Sequence, residues 1–185
     1  PFLSKEKKGV HSEDFIREFS EKELELFTRK DLGKVLITLA PEKTQQQDIV
    51  RLIEHGVVVS LGHSNATFEQ TNQALAAGAT GVTHLFNAMS AFTSREPGMV
   101  GAALLAEQCF AGIILDGIHV HTDSARLAYQ MNKNLMLVTD AMATVGSQQT
   151  SFELYGERIH VENGRCMTEE GTLAGSALDM VTAVR

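Results

Sequence analysis

Five nearly unbroken apolar runs, each closed by polar or ionisable residues and separated from the next by a helical stripe, confine this chain to a parallel α/β architecture. The runs are KVLITLAPE (34–42), VVVSLGH (57–63), GVTHLFNAM (81–89), FAGIILDG (110–117) and NLMLVTDA (134–141). A strand with one wet face alternates apolar and polar residues. These runs do not, so they read as strands covered by helices on a face. Ile49, Val50, Leu52 and Ile53 form a helical stripe that Thr44 and Gln47 open with capping-box spacing and Gly56 ends. Thr67 and Gln70 repeat the signature before a helix to Ala77 that Gly78 stops. Two more helices are expected, from about Val100 to Glu107 and from about Thr122 to Asn132.

Parallel strands deliver their downstream ends to one rim, where barrel enzymes keep their chemistry. That rim collects Glu42, His63, His84, Asp116 with His119, and Asp140. His63 and His84 stand 21 residues apart, about one strand–helix–strand step, so two imidazoles are expected side by side. Five such strands cannot close an eight-stranded barrel, which takes about 250 residues. The expected fold is therefore α/β, a partial (β/α)8 TIM-like barrel truncated at both ends, with residues 1–185 forming one piece of a catalytic domain. After Ala141, SFELYGERIHVENGRCM reads as two short strands turning at Asn163-Gly164, and TLAGS as the opening of a last helix. Upstream, residues 12–29 read as a pair of surface helices, and the Lys5–His11 stretch as a loop whose basic residues are solvated.

The net charge of −7 and pI near 5.5 offer no broad positive field, which excludes nucleic acid and anionic membrane as partners. Cys109 and Cys166 form no CxxC and read as small buried hydrophobes of a reducing compartment. With no 18-residue apolar stretch and no signal-peptide pattern in PFLSKEKKGV, a cytoplasmic location is expected.

Neutral imidazoles are natural ligands for a divalent metal, and His63 and His84 are the expected pair. Spacing leaves the third ligand open among Glu42, Asp140 and His119; Glu42 beside Pro41 can equally hold a loop. Asp140 follows an apolar strand and precedes small residues, a placement that suits a proton acceptor for an attacking water, or a loop hydrogen bond. His119 can steady an oxyanion or simply pack in its loop. His11 can reach over the rim, while His121 and His160 read as surface residues. Arg95, in TSREPG, serves no helical stripe, and its fork suits a carboxylate or phosphate. No Walker or dinucleotide fingerprint occurs, so no nucleotide cofactor is expected.

Taken in order, GHSNAT (62–67), THLFNAM (83–89), SREPG (94–98), DGIHV (116–120), LVTDA (137–141) and GTLAGS (171–176) resemble the N-acetylglucosamine-6-phosphate deacetylases of the amidohydrolase superfamily. The resemblance runs through all 185 residues, including PFLSKEKKGVH and TLAPE. It implies His63 and His84 as metal ligands, Asp140 as the acid–base residue and His119 as the group that polarises the carbonyl. It also implies substrate contacts at Val10, His11, Asn87, Ala88, Arg95, His119, Leu173 and Ala174, with Arg95 meeting a phosphate in the adjoining subunit's site. The implied cofactor is a divalent cation, zinc first, with iron, manganese or cobalt as alternatives. The implied substrate is a phosphorylated amino sugar, cleaved to glucosamine 6-phosphate and acetate in amino-sugar catabolism, and the implied assembly is a homodimer. In that family the third ligand sits in a Glu-Gly-Pro motif directly before the FL of this segment, so Glu42 matches a different glutamate. The first barrel strands and a small β-sandwich are expected to lie outside these residues. Rival readings are a related cyclic-amide hydrolase or deaminase, and a non-catalytic sugar-phosphate- or metal-binding module.

Overall fold

In the computed structural model, which describes residues 1–185, strands β1 (Leu36–Leu39), β2 (Val58–Leu61), β3 (Gly81–Val82), β4 (Phe110–Ile113) and β5 (Leu135–Leu137) form one sheet in chain order. Every pairing in it is parallel. The crossovers carry helices α2 (Gln46–Glu54), α3 (Phe68–Ala76), α4 (Gly98–Leu105) and α5 (Thr122–Met131), after an upstream α1 (Glu21–Phe27). Alternation along the strands sends Ile37, Leu39, Val59, Leu61, Val82, Ala111 and Ile113 toward these helices. There they join Ile49, Leu52, Ala74, Met99, Val100 and Ala103 in a buried core of 23 residues. Burying each large aliphatic side chain contributes about 1.5–3 kcal/mol, so this one-sided core holds the sheet. The opposite face is open at the upstream strand ends, where Leu36 is 61% exposed and Phe110 53%, and closes further along, where Ser60 is buried. Helical cover on a face is what the sequence leads one to expect, and this core supplies it.

Several boundaries differ from those expected. The third run is strand only at Gly81–Val82, because His84, Phe86 and Ala88 take positive φ and turn the chain out of the ladder. Thr67 and Gln70 form the capping box at α3, whereas Thr44 does not cap α2, whose N-cap is Gln45. Instead of two upstream helices there is a short 3-10 turn at Glu13–Phe15 and then α1, with Phe2 edge-on to both Phe19 and Phe27, which stack on each other. TLAGS does not open a helix. Leu173–Ser176 is the last strand of a second, antiparallel sheet made of β6 (Ser151–Leu154), β7 (Glu157–Glu162), β8 (Arg165–Met167) and β9 (Leu173–Ser176), followed by α6 (Met180–Val184). A small core of Ile159, Cys166 and Ala174 holds this sheet, with Val10 and Met142 packed on it. The Ser176 amide donates to the Asp140 carbonyl (2.8 Å) and the Met142 amide to the Ser176 carbonyl (3.0 Å), tying β9 to the loop after β5.

Candidate active site

The downstream strand ends open into a cleft of about 760 Å³. Its walls bring together His63 after β2, His84 and Asn87–Ala88 after β3, His119 after β4, Asp140 after β5, Val10 and His11 from the chain start, and Leu173 from β9. Seven non-glycine residues have positive φ, and five of them line this cleft: His63 (48°), His84 (38°), Ala88 (51°), Asp140 (51°) and Tyr155 (52°). Left-handed backbone is disfavoured for such residues, so their concentration around one cavity marks where packing has been given over to side-chain placement.

The two histidines are held from behind. The Nδ1–H of His63 donates to the Lys7 carbonyl (2.8 Å) and that of His84 to the Asn87 carbonyl (3.1 Å). A carbonyl only accepts, so each neutral ring carries its hydrogen on Nδ1 and turns the Nε2 lone pair into the cleft. Those two Nε2 atoms face each other at 3.0 Å with ring centroids 4.8 Å apart. Two acceptors at that separation have no hydrogen to share. Two ligands of one cation, each about 2.0–2.1 Å from it, stand at a comparable spacing. Burial, with the neighbouring His84 adding to it, pushes His63 down to about 4, and burial lowers His84 against the opposing charge of Asp140. Both rings are therefore neutral near pH 7 and suited to hold a divalent cation. No third His, Cys, Asp or Glu of this chain joins them in a metal-sized cluster.

Glu42 has another task. Its carboxylate accepts the Ser64 hydroxyl and the Asn65 amide, both at 2.6 Å, bracing the two residues that follow His63. The Ser64 amide donates to the Ala88 carbonyl and the Ser90 amide to the Ser64 carbonyl, each at 3.0 Å, so the loops carrying His63 and His84 are stitched together. Beneath them a hydroxyl chain links Thr38 to Thr83 (2.9 Å) and Thr83 to Ser60 (2.6 Å). A Cβ on Gly62 would sit 3.0 Å from Thr83 Cβ and 3.1 Å from Thr38 Cγ2, so glycine is needed there to let these strand ends approach.

His119 is oriented by Asp116, whose role the sequence did not disclose. The ring Nδ1 donates to Asp116 Oδ2 (2.6 Å), while Oδ1 accepts the amides of Ile118 and His119 (2.8 Å each). Burial raises the Asp116 carboxyl, but these amide and imidazole hydrogens outweigh it and leave the group below its ordinary range. The spacing Asp-x-x-His within DGIHV was the available signal. Asp140 acts electrostatically on His11, His63 and His84. A Cβ on Gly175 would meet the Met142 sulfur at 2.6 Å and the Asp140 carbonyl at 2.9 Å, which explains glycine at this point of the GTLAGS motif.

Two of the expected contacts do not line this cleft. Ala174 is wholly buried in the small sheet's core, because strand alternation gives the cleft its neighbours Leu173 and Gly175. Arg95 is exposed on the loop after β3, outside this cleft, and forms no ion pair. Conversely, the basic run, whose composition predicts solvated surface, lines the cleft. Lys7 and Lys8 are half-buried there, Lys5 stands at its edge, and none of the three is paired with a carboxylate. His121 caps α5 from the surface. Cys109 and Cys166 are free and buried, and burial pushes the Cys109 thiol up to about 11.

No protein-family model matches the chain. It is 50% identical over 187 residues to an N-acetylgalactosamine-6-phosphate deacetylase of Shewanella sp. (strain ANA-3), covering 100% of this chain and 48% of that protein. The crystal structure of N-acetylglucosamine-6-phosphate deacetylase from Pasteurella multocida superposes with a TM-score of 0.94 at 41% identity, over 99% of this chain and 48% of that one. A Mycobacterium smegmatis deacetylase mutant in complex with N-acetyl-D-glucosamine 6-phosphate gives 0.93 at 33% identity, over 99% of this chain and 49% of that one. The chain thus spans about half the length of the relatives it matches.

Proposed function

Because its whole length matches the amino-sugar-phosphate deacetylases of the amidohydrolase superfamily, we propose that this chain is the metal-site portion of a hydrolase that cleaves the acetamide of N-acetylglucosamine 6-phosphate to glucosamine 6-phosphate and acetate. The observation that carries this is the pair of inward Nε2 lone pairs at 3.0 Å, in one cleft with Asp140. A divalent cation, zinc by preference, held by His63 and His84 would supply Lewis-acid polarisation of the acetamide and acidify water. Asp140 takes the proton from the attacking water and returns it to the departing sugar nitrogen. His119, held through Nδ1 by Asp116, lines the cleft where it can steady the acetamide oxygen as that oxygen gains charge. His11, Val10, Asn87, Ala88 and Leu173 shape the sugar site. The unpaired Lys7 and Lys8 favour an anionic substituent on the substrate, which supports a sugar phosphate over a planar cyclic amide. Arg95, exposed and outside its own cleft, serves the phosphate in a homodimer partner's site. A monomeric enzyme in solution would end that assignment.

The experiment is acetate release by the full-length, metal-loaded protein, with Asp140→Asn as control. Turnover of N-acetylglucosamine 6-phosphate that falls by roughly 10²–10⁴-fold in the variant, with bound metal retained, is expected. Near-normal turnover in the variant would sink the acid–base role. The Shewanella relative makes N-acetylgalactosamine 6-phosphate the second substrate to assay.

A further inference from the structure

The two hairpins of the small sheet close with the same backbone and different residues. Asn163-Gly164 turns with φ of 50° and 79°, and Tyr155-Gly156 with φ of 52° and 82°. Both join antiparallel strands through two residues, since Leu154 pairs with Glu157 and Glu162 with Arg165. Two positive φ values in a two-residue loop favour Asn-Gly, which the second hairpin has. A tyrosine at the first position is an outlier, for its bulk gains nothing from left-handed backbone. Nor does its ring pack away: Tyr155 is 54% exposed. What distinguishes the position is its place. Leu154 and Tyr155 line the cleft that holds His63, His84 and Asp140, and Tyr155 also lines the adjoining groove with His11 and Phe15's neighbours Glu13 and Asp14. The Tyr155 ring centroid lies 5.8 Å from that of Phe15, itself 57% exposed, and 6.5 Å from that of His11, whose ring stands edge-on to His63 at 5.0 Å.

Resting on the functional reading above, we infer that Tyr155 is a substrate-contacting specificity residue: with Phe15 it forms an aromatic wall at the cleft mouth, and the C–H face of the pyranose stacks on it. An aromatic ring offers a sugar a flat apolar face and a hydroxyl at its tip, with few torsions to freeze. The left-handed backbone aims the ring off the hairpin tip, which an ordinary strand position would not do. The contact holds the ring of the sugar, not the scissile amide, so it belongs to binding and leaves the chemical step alone.

The test uses the full-length, metal-loaded enzyme with N-acetylglucosamine 6-phosphate and N-acetylgalactosamine 6-phosphate, comparing wild type, Tyr155→Asn and Tyr155→Phe. Asn restores the residue the turn prefers, so Tyr155→Asn is expected to raise the melting temperature by roughly 2–4 °C. The same variant is expected to raise KM by roughly 5- to 10-fold with kcat within about twofold, while Tyr155→Phe keeps KM near wild type. Stability and affinity moving in opposite directions is the signature. An unchanged KM in Tyr155→Asn overturns the inference, and so does a KM rise that comes with a lower melting temperature, since hairpin damage then explains it. Failure of the wild type to release acetate from either sugar overturns the functional reading and this inference with it.

Discussion

Removing the Glu42 carboxylate is expected to weaken metal binding without abolishing it. Glu42 accepts two hydrogen bonds at 2.6 Å, from the Ser64 hydroxyl and the Asn65 amide, and both are charge-assisted. Such bonds contribute about 1.5–3 kcal/mol each; at a half-buried site the lower end applies, so Glu42→Ala forfeits about 3 kcal/mol. All of that falls on the segment immediately after His63, whose backbone is already in the left-handed region at φ 48°. If the competent orientation of His63 depends on this brace, about 3 kcal/mol converts to roughly a 100-fold loss of apparent metal affinity, the upper end for groups that orient ligands. Gln keeps one acceptor, so Glu42→Gln is expected to lose about tenfold. Competition against a chelator, run with the full-length protein, reads both numbers, and metal content at saturation is expected to be unchanged. Complete loss of bound metal in Glu42→Gln would make Glu42 a direct ligand. Affinity within twofold of wild type in Glu42→Ala would show that the brace does not reach His63. Either result refutes the reasoning.

Asp116→Asn is expected to lower kcat by roughly 10²-fold, as loss of catalytic-group alignment does, with metal content and KM near wild type; an unchanged kcat would show that His119 needs no such support. The metal-free protein is expected to lose stability as pH falls from about 6.5 to about 4. In that window the unfolded chain protonates His63 while the folded one, with its value pushed to about 4, does not. The loss amounts to about 3 kcal/mol, complete near pH 4, and is read as a falling urea midpoint in the presence of chelator. A midpoint that falls equally in His63→Asn would assign the effect to other groups.

The strand order and the rim were legible because continuous apolar runs and capping signals are local, and parallel connectivity then dictates that strand ends coincide. The same logic placed His63, His84, His119 and Asp140 in one cleft. What escaped depended on backbone that no periodicity encodes. The run through Thr83–Met89 reads as strand, yet His84, Phe86 and Ala88 turn it aside with positive φ, and apolar composition carries no sign of that. Glu42 was ambiguous because a carboxylate beside a rim binds metal or amides equally well on paper; only the Ser64 and Asn65 contacts decide. Lys7 and Lys8 looked like ordinary surface because sequence does not say that the segment folds back over His63, whose ring hydrogen the Lys7 carbonyl accepts. Ala174 turns into the small sheet's core because strand alternation, which the GTLAGS motif does not reveal, gives the cleft Leu173 and Gly175.

The carbonyl anchors behind His63 and His84 have one more implication. Each imidazole has already given up its rotational freedom during folding, through a hydrogen bond to main chain. Capture of a cation then demands little further ordering of these two ligands, and relieves the mutual repulsion of lone pairs that folding has set face to face. Discrimination among metals passes to whatever completes the coordination sphere, since this half of the site presents the same two nitrogens to all of them.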